Sequence, residues 1–152
     1  MKKRNLKNHL RDLNSNMTQV IDTNKYIEFV KQTTSPASSD LAKLLSRITE
    51  LEAEGVKLTH LLTFALGASA ELGEAVEIIK KCLLQGKPFN DDAKKHLISE
   101  ISDVTWYIAQ FCIAMDITFE EIMKVNYEKL SARYPEGTFS VYRSENRKDG
   151  DI

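Results

Sequence analysis

Little in this chain interrupts a helix. Among 152 residues there are only 3 prolines and 6 glycines, and they gather at a few points, so long helices joined by few turns are expected. Convincing apolar–polar alternation, the mark of a half-buried strand, is missing; the nearest approach is TFSVY (138–142), read as a short extended piece. Cysteine is limited to Cys82 and Cys112, both inside apolar helical pattern and without metal-type spacing. They are read as reduced core thiols of a cytoplasmic protein. No charge of one sign dominates: a net charge of −1 gives no global field toward nucleic acid or an anionic membrane. No apolar run is long enough for a bilayer span, the longest (about 104–115) being broken by Thr105 and Gln110. The basic opening MKKRNLK has no apolar stretch behind it and is not read as a signal peptide.

What is present suits one domain large enough to bury a core. The chain is expected to divide into a polar segment at 1–22, a single all-α domain at 23–142 and a charged tail at 143–152. NKYIEFVKQTT sets Tyr26, Ile27, Phe29 and Val30 at helical spacing. SPASSD then interrupts the chain, and its serines and Asp40 are suited to cap the next helix. In 41–55, Leu41, Leu44, Leu45, Ile48 and Leu51 form one helical stripe that stops at Gly55. A long helix is expected over about 59–84, then a turn at QGKPFNDD (85–92) with Asn90 or Asp91 as the next cap, then a second long helix over about 92–115. Thr118 followed by Glu121 is a capping-box pattern, opening a further helix that ends near Pro135. The expected fold is an antiparallel bundle of about five helices. So short a bundle leaves apolar surface to cover, so a homodimer or homotetramer is expected, with the stripe 41–51 as one candidate contact.

The chemistry gathers in ASAELGEAVEIIKK (68–81) and SEISDVTWYIAQFCIAM (99–115). The first carries Glu71, Glu74 and Glu77 three apart; the second carries Glu100 and Asp103. Helical positions three apart point within about 60° of each other, so each pair shares a face. Glu71 with Asp103, and Glu74 with Glu100, are both symmetric about Lys87 in the turn. An antiparallel hairpin folded there sets Glu71 level with Asp103 and Glu74 level with Glu100, so that four carboxylates face one another. These acids border apolar positions: Glu71 lies at the edge of Ala65, Leu72, Ala75, Val76, Ile79 and Leu83, and Glu100 lies beside Leu97, Ile101, Val104 and Ile108. A solvated charge face belongs opposite the apolar stripe, not in its margin. After Asp103 the second helix is apolar nearly all round and is expected to be buried. Like charges crowded there need a counter-charge. Hard oxygen ligands without His or Cys favour Mg²⁺, or Mn²⁺, over Zn²⁺. His60 and His96 sit in no Glu-x-x-His register, which argues against a di-iron carboxylate bundle, and they are read as surface or partly buried residues.

ELGEAVEIIKK, SEISDVTWYIA and VNYEKLSARYPEGTFS together resemble the MazG-like all-α nucleoside triphosphate pyrophosphohydrolases, over roughly residues 60–147 and more weakly at YIEFVKQT. The likeness rests on E-x-x-E on one helix and E-x-x-D on the next. A later N-x-x-K-L-x-x-R-Y-P-x-G pattern is made by Asn126, Lys129, Leu130, Arg133, Tyr134, Pro135 and Gly137. The chain departs from many members in having Ala70, not a glutamate, before Glu71. The resemblance implies Mg²⁺ on Glu71, Glu74, Glu100 and Asp103. It also implies cleavage between the α and β phosphates of a (d)NTP, giving a nucleoside monophosphate and pyrophosphate, a reaction suited to cleaning the nucleotide pool. On that reading Glu74 or Glu77 takes the proton of the attacking water. Asn126, Lys129, Arg133 and Lys81 contact phosphate, and Tyr107, with Trp106, borders the base. The rival reading is a non-enzymatic helical module for oligomerisation or partner binding, in which the cations form solvated helix faces.

Overall fold

The structure, a computed structural model, describes residues 22–146 and is helical without strands across them. The polar segment up to residue 21 and the tail from residue 147 lie outside the described residues. The described residues form seven helices: α1 (Thr23–Thr33), α2 (Pro36–Ser39), α3 (Leu41–Ala53), α4 (Leu58–Leu84), α5 (Asp91–Met115), α6 (Phe119–Arg133) and α7 (Val141–Glu145). The chain divides between Thr49 and Glu50 into two compact units.

In the first unit, local hydrogen bonds set the helix starts. Asp22 Oδ1 accepts from the Asn24 and Lys25 amides (3.0 and 3.2 Å), opening α1. Ser35 caps α2, whose first residue is Pro36, so SPASSD forms a single helical turn where only an interruption was expected. Asp40 then accepts from the Ala42 and Lys43 amides (2.9 and 3.3 Å) and opens α3.

The second unit is organised by the α4–α5 hairpin. Lys87 N–H reaches back to the Lys81 carbonyl (3.2 Å) at the end of α4, and Gly86 takes the left-handed φ of +68° that lets the chain reverse. Asn90 Oδ1 accepts from the Ala93 amide (3.0 Å), while Asp91 and Asp92 sit at the positive end of α5. Thr118 and Glu121 form the expected capping box at the start of α6. TFSVY is not extended throughout: Ser140 has extended backbone, but its Oγ accepts from the Arg143 amide (3.4 Å) and α7 starts at Val141. Residues 143–145, expected in a charged tail, therefore belong to a helix, and Arg143 is paired with Glu136.

Side-chain pairs fix the hairpin register. Lys57 Nζ donates to the Ile113 carbonyl (2.9 Å), His60 Nδ1 pairs with Gln110 Oε1 (2.7 Å), and the rings of Phe64 and Phe111 lie 5.1 Å apart. Gly67 lies against Tyr107. Among the described helices only α4 and α5 pack along their length. Two helices bury little beyond the seam between them. Ala68, Ala75 and Cys112 fill that seam and are the buried residues among those described; Cys82 is half-buried, and both cysteines are free. Burial of α5 on all sides after Asp103 is thus not observed: Trp106, Ile113 and Met115 are exposed. The α4 stripe is open too, with Val76 60% and Leu83 76% exposed. Small seam residues bring the helices close.

Candidate metal centre and its two grooves

The hairpin brings the acids together in the expected register. Glu71, Glu74 and Glu100 each offer a carboxylate oxygen, and the three oxygens lie within 4.8 Å of one another. Asp103 stands beside Glu71, outside that trio, and its charge is felt by Glu71. The Glu71 carboxyl is held above its ordinary value of 4.5, first by desolvation, then by a hydrogen bond with Glu100 and the negative charges of Glu74, Asp103 and Glu100.

A divalent cation fits the same place. Oxygens on opposite sides of Mg²⁺ stand about 4.2 Å apart, so a small contraction of these side chains would complete its contacts. The donors are all hard oxygens, as Mg²⁺ or Mn²⁺ requires.

Two grooves flank the trio. One, of 330 Å³, is lined by Glu74, Glu77, Ile78, Lys81, His96 and Glu100. Here Glu77 is clamped by Lys80 and, at 3.3 Å, by Lys81. The Lys80 hydrogen bond, helped by that of Lys81 and by both charges, outweighs desolvation and holds the Glu77 carboxyl below its ordinary value. The second groove, of 310 Å³, is lined by Glu71, Asp103, Trp106 and Tyr107. Trp106 and Tyr107 meet edge to face, with centroids 5.0 Å apart.

Of the residues singled out from sequence, Glu71, Glu74, Glu77, Lys81, Glu100, Asp103 and Tyr107 line these grooves. Asn126, Lys129 and Arg133 share α6, as their three- and four-residue spacing requires, but line neither groove. His96, expected to be an ordinary surface or partly buried residue, stands in the first groove. Its position one turn before Glu100 is the signal that could have placed it there.

No helix among the described residues is long and apolar enough to cross a membrane. The sequence profile of the MazG nucleotide pyrophosphohydrolase domain matches residues 59–138, over half of the chain and all of both grooves. None of the curated proteins and none of the solved structures compared matches the chain.

Proposed function

Because the chain belongs to the MazG nucleotide pyrophosphohydrolase family, we propose that it hydrolyses (d)NTPs to nucleoside monophosphate and pyrophosphate, clearing surplus or non-standard nucleotides. The observation that carries this reading is the carboxylate trio on the matched segment, with a groove on either side. Glu71, Glu74 and Glu100 would hold Mg²⁺, with Asp103 completing the set from beside Glu71. When bound, the ion screens the triphosphate and activates water. Water oxygen attacks the α phosphorus, the bond from that phosphorus to the bridging oxygen breaks, and pyrophosphate departs. Glu74 takes the proton of the water. Glu77, its charge offset by two lysines, holds Lys81 at the groove, where the ammonium faces phosphate oxygens. Tyr107 borders the base in the opposite groove.

Asn126, Lys129 and Arg133 are assigned to phosphate contact once α6 is brought to the hairpin. We assign that closure to a homodimer or homotetramer, because the open apolar flanks of α4 and α5 need cover. Free cysteines and a freely diffusing substrate suit a cytoplasmic setting.

Incubation with a panel of NTPs and dNTPs plus Mg²⁺, with pyrophosphate as readout, tests the reading. Pyrophosphate release abolished in folded Glu100→Gln and Asp103→Asn is the expected result. No turnover of any nucleotide with Mg²⁺ or Mn²⁺ overturns it.

A further inference from the structure

Two glycines interrupt the middle of α4, and their surroundings differ. At Gly73 a Cβ would meet nothing within 4 Å. At Gly67 a Cβ would overlap the Tyr107 ring at Cε1 and Cζ, and even Cδ1 would be only 2.5 Å away. Glycine weakens a helix interior relative to alanine, so its presence at Gly67 has a local counterpart: the phenol ring of α5 rests on the bare backbone of α4. That ring is also a wall of the groove that holds Glu71, Asp103 and Trp106, and it meets the indole edge to face.

We propose that Gly67 is a positioning and specificity-determining residue: by seating the Tyr107 ring against α4 it keeps the 310 Å³ groove open for a planar base beside Glu71 and Asp103. This rests on the nucleotide hydrolysis assigned to the same hairpin. A side chain at Gly67 drives the ring off its seat, and the adjoining space is the groove itself. Larger bases then lose more than smaller ones, while the carboxylate trio one turn and more away keeps its donors. Gly67 touches no substrate; it acts through Tyr107.

Trp106 is the sole tryptophan, so its fluorescence reports the groove without any nucleotide. The test compares Gly67→Ala, Tyr107→Leu and the double variant in the full chain, with Gly73→Ala as the control for adding alanine to α4. Gly67→Ala is expected to change Trp106 emission and to raise KM about tenfold for purine nucleotides, less for pyrimidine ones, with kcat moved by no more than about twofold. In the Tyr107→Leu background the same substitution is expected to change neither, because the ring it displaces is gone. The assignment is overturned by wild-type emission in Gly67→Ala, by a KM loss equal for all bases, by an effect undiminished in Tyr107→Leu, or by the same emission change in Gly73→Ala. If Gly67→Ala does not fold, the double variant decides: a folded protein with the emission of Tyr107→Leu supports the seat, and an unfolded one refutes it. If no nucleotide is hydrolysed, quenching of Trp106 by added nucleotide replaces KM. The activity reading then fails while the emission cycle still judges Gly67.

Discussion

The two grooves beside the carboxylates are almost equal in volume, 330 and 310 Å³, and share no lining residue. One mixes acids with Lys81 and His96; the other sets two acids against Trp106 and Tyr107. The same hairpin makes both, because the charged residues between 74 and 81 face one level of α5 and the small residues near Gly67 face another. Cations suit phosphate and aromatic faces suit a base, so on the proposed reading the difference gives the site a direction.

The sharpest way to break this comparison is to remove an acid of the trio that the grooves flank. Glu100→Gln is expected to lower kcat/KM about a thousandfold, the several kcal/mol that a Lewis acid supplies, measured by pyrophosphate release with circular dichroism to verify folding. Next, Lys81→Met is expected to lower kcat/KM by roughly 30-fold, from loss of a charged hydrogen bond to phosphate, with equal loss for all bases. Trp106→Leu is expected to cost about tenfold, the worth of one stacked base, and to do so unequally across bases. If Lys81→Met alters base preference and Trp106→Leu does not, the assigned direction is wrong.

A smaller effect comes from protons. Glu71 releases its proton at higher pH than an ordinary glutamate, and Mg²⁺ competes for the same oxygens. Metal affinity, read by isothermal titration, should therefore rise as pH climbs from 4.5 through the raised value of Glu71. The smallest effect is on the metal-free protein. Folded Glu71 keeps its proton to higher pH than the unfolded chain, so its contribution to stability is complete below 4.5 and fades as pH rises through the folded value. Thermal unfolding without metal should show a slight fall in midpoint over that window, and saturating Mg²⁺ should remove it.

The hairpin is legible in the sequence because spacing and turn agree. Two acid pairs symmetric about Lys87 imply a register, and Phe64 with Phe111 obeys it. The Thr118–Glu121 cap is legible because its bonds are local. Burial is not. Periodicity marks Val76 and Leu83 as one face of a helix, but nothing in it says what lies opposite, and both stay open in the single chain. Nor does spacing on α6 say where that helix docks, which is why Asn126, Lys129 and Arg133 share a helix yet stand outside the grooves. TFSVY suggests an extended piece through its β-prone residues, but the Ser140 hydroxyl decides the local geometry.

The connection between Leu84 and Asp91 holds none of the chemistry, yet it meters it. Each residue inserted there would turn α5 by about 100° about its axis unless the bend absorbed it. A single added or missing amino acid would swing Glu100 and Asp103 out of line with their counterparts while every acid stayed in the sequence. Length at this bend is thus a heritable setting of the protein, invisible to any search for altered acidic letters.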